Sequence, residues 1–273
     1  MQVYLLEDAL ELWEATVRAT PTPASQELLD LFPYLIACME LASVALRKVL
    51  EIVDSYMLLA PREIIETYRR QLFESFANLL GQLKPEGQGT VTRIVEVLVR
   101  VAKQIGGDGA LGVVCVELVE SRFLVNIFQG LRESYEANQT TGPNKRHPPT
   151  AMQISDFFSL LARIVIANTG CFLEVVRMVS ERTTQQDVPD FMNWLLSEWF
   201  GHVRTLLRYG EGYTNSSWQF ANMGHPSQRK LNCFGLTMLL ETNQPWILER
   251  LQDLMIVWTD VVVELQDEHG VNE

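Results

Sequence analysis

Val91-Thr-Arg-Ile-Val-Glu-Val-Leu-Val-Arg-Val-Ala-Lys-Gln-Ile105 is the stretch that decides the fold. Its residues Val91, Ile94, Val95, Leu98, Val101, Ala102 and Ile105 recur at i, i+3, i+4 and i+7, which places them on one face of an α-helix. The same stripe returns along the chain. Leu46, Val49, Leu50, Val53 and Met57 form one copy, and Ile154, Phe157, Phe158, Leu161, Ile164 and Val165 another. Ile247, Leu251, Leu254, Met255, Trp258, Val261, Val262 and Leu265 carry it over several turns near the end. Period-2 alternation is nearly absent, and no Asn-Gly or Asp-Gly turn separates two strand-like runs; Asp108-Gly109 joins two helical patterns. The chain reads as all-α.

Punctuation cuts it into about a dozen helices. Pro21 and Pro23 end the first, Ser25 is placed to cap the second, and Pro61 with Glu63 behind it opens another. Residues 84–89, 106–109, 136–149, 183–189, 210–227 and 243–245 read as connections. Most are short, so successive helices fold back antiparallel. The reading pairs 3–19 with 25–40, 43–59 with 61–83, 90–105 with 110–135, 151–167 with 170–182 and 188–209 with 226–241. Residues 245–267 are left as an unpaired last helix. Equivalent stripes return roughly every 40 to 60 residues, the period of HEAT-type repeats lengthened by long loops near 136–149 and 210–227. One helix pair cannot cover its own apolar face, so the pairs must stack. The expectation is a single α-solenoid over residues 1–273, of about six repeats with the last incomplete, winding into a right-handed superhelix.

The ends suggest a longer array. Leu6, Leu10, Trp13 and Val17 face Glu7, Asp8, Glu11 and Glu14 across an amphipathic first helix, with no polar capping unit before it. The chain therefore reads as a fragment cut on its N-terminal side, whereas the polar residues up to Glu273 read as a natural end. No secretory signal and no apolar run of about 18 residues is found, so membrane insertion is not expected. The chain has 273 residues, 47% of them hydrophobic, and a net charge of −12 from 34 Asp and Glu against 22 Lys and Arg. That balance argues against nucleic acid, which needs clustered cations, and favours basic protein partners. Cys38, Cys115, Cys171 and Cys233 are scattered among apolar residues without metal-ligand spacing, and read as reduced, buried thiols of the cytosol or nucleus. The Asn-x-Ser/Thr triplets at Asn138 and Asn215 are then chance matches.

A search for chemistry finds none. His147, His202, His225 and His269 form no recognisable triad with a nucleophile. Gly106, Gly107, Gly109 and Gly112 lack the Lys and Ser/Thr of a phosphate loop and read as a flexible connection. Asp187 and Asp190 have metal-site spacing, but with Pro189 between them they suit a helix start. No enzyme, metal or cofactor is expected. Trp194 and Trp199 point to different sides of one helix, one in the core and one near a seam. Trp218 and Phe220 sit in the long loop. Gly235, in the middle of a helix, costs about 1 kcal/mol against Ala, so a neighbouring helix must approach closely there. Carboxylates on the second helices of the pairs are the candidate binding residues, as an acidic track for basic cargo or as a solvated face: Glu63, Glu66, Glu117, Glu120, Glu174 and Glu181, with Glu27 and Asp30 beside them.

The strings Tyr4-Leu-Leu-Glu-Asp-Ala-Leu-Glu-Leu-Trp13, Leu28-Leu-Asp-Leu-Phe-Pro33 and Arg229-Lys-Leu-Asn-Cys-Phe-Gly-Leu-Thr-Met-Leu-Leu240 resemble the C-terminal half of karyopherin-β proteins, the importin-β-like nuclear transport receptors. The likeness is greatest to the importin-eleven group and covers nearly the whole chain. It implies a receptor that shuttles between nucleus and cytoplasm, docks at nuclear pores through phenylalanine-glycine repeats, and carries protein cargo that Ran-GTP releases. In that family Ran binds mainly through N-terminal repeats, which this chain lacks, so no Ran contact is assigned here. A HEAT scaffold or adaptor for a cytoplasmic complex is the alternative.

Overall fold

A computed structural model of the chain describes residues 2–40, 45–139, 149–208 and 226–270, and every regular element in them is helical. In order these are α1 (Gln2–Ala19), α2 (Gln26–Leu29), α3 (Phe32–Glu40), α4 (Leu46–Leu59), α5 (Pro61–Leu80), α6 (Pro85–Glu120) and α7 (Phe123–Gln139). There follow α8 (Ala151–Ala167), α9 (Thr169–Thr183), α10 (Val188–Arg208), α11 (Pro226–Met238), a 3₁₀ turn (Leu239–Thr242), α12 (Pro245–Leu248) and α13 (Leu251–Gly270). The helix starts read from sequence hold. Ser25 Oγ accepts the Leu28 N–H at 3.4 Å, Pro61 occupies the first turn of α5, and Asp187 Oδ1 accepts the Asp190 N–H at 2.9 Å. Thr150 and Gln153 close a reciprocal capping box at α8, and Asn168 Oδ1 takes the Cys171 N–H at α9. Each such cap contributes about 0.5–2 kcal/mol.

The span Pro85–Glu120 is two helices meeting at a kink, where Gly106 and Gly107 leave helical geometry and Gly107 takes φ 62°, a positive φ at which glycine is at ease; the connection read at 106–109 falls there. Three helices that the sequence reads as continuous are divided in the structure. The stretch read as one helix over 25–40 splits into α2 and α3, and that over 245–267 into α12 and α13. The helix expected over 110–135 instead breaks at Ser121–Arg122, where Arg122 takes φ 71°, and restarts at Phe123. No glycine or proline marks that break.

The chain divides into two compact units, residues 1–126 and 127–273. In the first, α1 packs on α4, α3 lies against α4 and α5, and α5 lies along α6. Its core is tied by Tyr56, fully buried, whose hydroxyl donates to the Leu28 carbonyl at 2.7 Å and accepts from Trp13 Nε1 at 3.0 Å. Phe32 sits between Tyr56 and Tyr68, its ring centroid 5.2 Å from each. Glu14, only 7% exposed, is held by Arg18 at 2.6 Å and Lys48 at 2.8 Å, so its charge is compensated where it is buried.

In the second unit α11 lies along α8, α9 packs on α8 and α10, and α13 covers α10 and α11. A methyl built on Gly235 of α11 would stand 2.8 Å from Ala162 Cβ of α8 and 2.9 Å from Ala162 Cα. This is the close approach the sequence demanded. Trp199 is fully buried, stacks on Phe158 at 5.0 Å and donates Nε1 to Asn232 Oδ1 at 2.8 Å. Trp194 is buried too, at 5% exposure, packed edge-on to Phe191 with Arg132 over its ring. Both tryptophans are buried, and they point to different sides of α10 as expected: Trp199 meets α8 and α11, and Trp194 meets Tyr135 and Arg132 of α7. Glu198 is buried, accepting from Ser134 Oγ at 2.7 Å and from Asn138 Nδ2 at 3.2 Å, so the amide of the first Asn-x-Ser/Thr triplet, on an exposed residue, is bonded to the fold. None of the four cysteines is in a disulfide; Cys115 and Cys233 are buried, Cys38 and Cys171 half-buried. No helix among the described residues is long and apolar enough to cross a membrane.

Candidate protein-binding surface

The six candidate carboxylates fall on three helices. Glu63 and Glu66 lie exposed on the first turns of α5, Glu117 and Glu120 on the last turn of α6, and Glu174 and Glu181 exposed on α9. Arginines meet most of them. Arg62 Nη1 stands 3.8 Å from Glu66, and Arg69 Nε donates to Glu117 Oε2 at 2.7 Å. Arg177, on α9, is clasped by both Glu174 and Glu181. The hydrogen bond to Arg177 lowers the Glu174 pKa, and the two carboxylates raise that of Arg177. Glu27 is lowered by the backbone N–H of its own first turn and by Ser25, and Asp30 accepts from Gln26 Nε2 at 2.8 Å. The exposed pairs of Glu66, Glu174 and Glu181 are screened by water and hold their partners weakly, so they open readily if a cationic partner arrives. What they present at rest is alternating charge rather than a bare acidic track.

One site was not legible as such. In the first unit α5 and the bent α6 enclose a cleft of about 200 Å³. Its floor is Ile65 of α5 with Ala102, Ile105, Ala110, Val113 and Val114 of α6, and Arg62, Glu66 and Arg69 form its rim. The floor draws on both sides of the glycine bend, since Ala102 and Ile105 precede Gly106 and Val113 and Val114 follow Gly107. Val113 is left 46% exposed, an apolar surface large enough to attract a partner side chain. Arg69 fixes the rim by bonding the Ile65 carbonyl at 3.1 Å as well as Glu117. The glycines were the only signal of this cleft: they form the expected connection, and the helical runs on either side of it both contribute to the floor. A second cleft, of about 350 Å³, lies where Glu7 and Glu11 of α1 face Arg47, Lys48 and Glu51 of α4. Its walls are of mixed charge; Glu14 and Glu51 hydrogen-bond Lys48 and raise its pKa.

Titratable groups with strong shifts lie inside the second unit. His202 Nε2 meets Ser155 Oγ at 2.9 Å beneath the Phe158 ring, and burial pushes its pKa down to about 4. Asp156 accepts from Gln228 Nε2 at 3.1 Å, and burial lifts its carboxyl to about 6. These residues bond α8 to α10 and α11 and line neither cleft. Among the described residues no three His, Cys, Asp or Glu side chains gather as a metal site. His147, His225, Trp218 and Phe220 lie outside the described residues, as does most of both long loops, and so does the His269 side chain.

Comparison with known proteins agrees with this architecture. A family model described as "Importin-11-like, TPR repeats" matches residues 1–210 and 216–273. The chain is 24% identical over 266 residues to mouse importin-11, covering 97% of this chain and 23% of that protein. It is 25% identical over 248 residues to human importin-11, covering 91% and 21%, and 23% identical over 262 residues to the fission-yeast importin beta-like protein kap113, covering 96% and 22%. The chain thus spans less than a quarter of the length of the curated relatives it matches. No solved structure matches it. TPR and HEAT units are both antiparallel helix pairs that stack on their neighbours, so the two descriptions name one kind of architecture. On a match that runs through almost every residue, the chain belongs to the importin-11-like family of helical-repeat proteins.

Proposed function

We propose that this chain is a binding segment of a nuclear import receptor that carries protein cargo, docks on phenylalanine-glycine repeats of the pore and releases cargo to Ran-GTP. The observation that carries the reading is the match to importin-11-like repeats along nearly the full chain. On this reading the work is binding rather than catalysis, and the protein shuttles between nucleus and cytoplasm. Basic cargo is drawn by the net charge of −12 and displaces the arginines that hold Glu66, Glu117, Glu174 and Glu181. Glu63 and Glu120 extend those two acidic ends of α5 and α6. The cleft over Ile65, Ile105 and Val113 has the size and apolar floor to take one phenylalanine ring, weakly, so pore docking gains strength from many such contacts. Ran binds mainly outside this segment.

The test is direct binding of a phenylalanine-glycine repeat peptide to the 273-residue chain, followed by two-dimensional NMR with the methyl groups of Ile65, Ile105 and Val113 as reporters. Saturable shifts of those methyls, absent with a serine-glycine peptide, are expected. Shifts elsewhere, or none at millimolar peptide, remove the docking role from this cleft.

A further inference from the structure

α13 carries two apolar faces, and the fold uses one. Leu254, Val257 and Val261 are buried against the second unit's core. Leu251, Met255, Trp258, Val262 and Leu265 form a separate seam with steps of four, three, four and three residues, the spacing along which a second helix packs. Leu251 is 43% exposed, Met255 56% and Val262 51%, with Trp258 and Leu265 half-buried. Trp258 is fixed in place by donating Nε1 to Thr237 Oγ1 at 2.8 Å, which leaves its ring at the middle of the seam.

Charge says what covers it. The open flank of the seam is Gln252, Thr259 and Gln266, one heptad apart, all exposed and all neutral. Among the described side chains of the helix the acidic groups lie on its other side: Asp253 is turned to Arg250 at 3.5 Å and Glu264 to Arg229 at 2.8 Å, with Asp260 half-buried between them. Two copies of a chain of net charge −12 repel over most of their surface and meet without penalty only on a strip that bears no carboxylate. A basic or acidic partner would find no countercharge there. The seam is also close to symmetric about Trp258: Leu251 and Leu265 stand seven residues either side of it, and Met255 and Val262 three before and four after. A two-fold axis requires such self-complementarity.

We propose that α13 is a contact between two copies of this chain, antiparallel about a two-fold axis at Trp258 and Thr259, with Leu251 opposite Leu265 of the second copy and Met255 opposite Val262. Five residues per copy make a small interface, so the dimer is weak, with a dissociation constant on the order of 10 µM.

Sedimentation velocity of the 273-residue chain, from about 1 to 200 µM, measures it against that dissociation constant. A monomer–dimer equilibrium is expected, abolished by Met255→Glu with Val262→Glu; both positions are more than half exposed, so the far-ultraviolet circular dichroism stays unchanged. Geometry has its own readout: Thr259→Cys cross-links to itself under mild oxidation and Gln252→Cys does not, against a background set by the four native cysteines. A monomer at the highest concentration, a dimer that survives the double substitution, or self-cross-linking of Gln252→Cys overturns the proposal.

Discussion

Gly235 on α11 and Ala162 on α8 touch backbone to backbone: a β-carbon at Gly235 would lie 2.9 Å from the Ala162 Cα, inside any tolerable contact. Alanine favours a helix over glycine by about 1 kcal/mol, so an uncrowded glycine would be improved by it. Here the crowding wins, because the opposing atom is backbone and cannot rotate away. Gly235→Ala should destabilise by roughly 1–3 kcal/mol, and Gly235→Leu should lower the melting temperature further. Adding Ala162→Gly to Gly235→Ala removes one of the two clashing atoms and should restore part of the loss. Equal or higher stability of Gly235→Ala in urea unfolding would show that the two helices stand further apart.

Tyr56 ties three elements of the first unit through one hydroxyl. Tyr56→Phe keeps the ring against Phe32 and leaves Trp13 Nε1 and the Leu28 carbonyl without that partner. The expected cost is about 1–3 kcal/mol, read as a lower urea midpoint at unchanged slope.

His202 and Asp156 push stability in opposite directions with pH. The His202 pKa falls from 6.5 to about 4 through burial, so its contribution is complete above 6.5 and is lost as pH falls toward 4. The Asp156 pKa rises from 3.8 to about 6 through burial, so its contribution is complete below 3.8 and is lost as pH rises toward 6. Asp156→Asn keeps an acceptor for Gln228 and removes the buried charge. It should stabilise the chain by roughly 1–2 kcal/mol more at pH 7.5 than at pH 4.5. Urea unfolding at both values decides, and an effect independent of pH would place Asp156 in water.

Val113→Glu puts a charge on the half-exposed floor of the α5–α6 cleft. Binding of a phenylalanine-glycine peptide should weaken by about tenfold or more while the helical signal is retained. Val116→Glu, 36% exposed on the same helix but outside the cleft lining, serves as the control and should leave affinity unchanged.

Much of this fold is written locally. Ser25, Pro61 and Asp187 act one turn away from where they sit, so their roles follow from spacing alone. Gly235 was legible for another reason: a glycine inside an apolar helical stripe is costly unless something close requires it. The break at Ser121–Arg122 was hidden because Leu118, Val119, Phe123 and Leu124 continue an apolar run across it, and tertiary packing sets Arg122 in its left-handed conformation. The cleft was hidden because its floor joins Ile65 to residues about 40 positions further on, a distance that periodicity does not span. In α13 periodicity marked both apolar faces equally, and only packing shows which of them the core takes. The carboxylates were found, but not their arginines: Arg69 reaches Glu117 across two helices.

The central claim is that this chain serves a Ran-regulated transport receptor. Its most direct test is cargo binding by the longest native protein that contains these residues, with a basic nuclear protein captured in the presence and absence of Ran locked with GTP. Capture without Ran-GTP, release with it, and weaker capture when Glu63, Glu66, Glu117 and Glu120 are changed to Gln are the expected results. Cargo binding that ignores Ran-GTP, with a stable cytoplasmic complex recovered in its place, would contradict it and leave a helical-repeat scaffold.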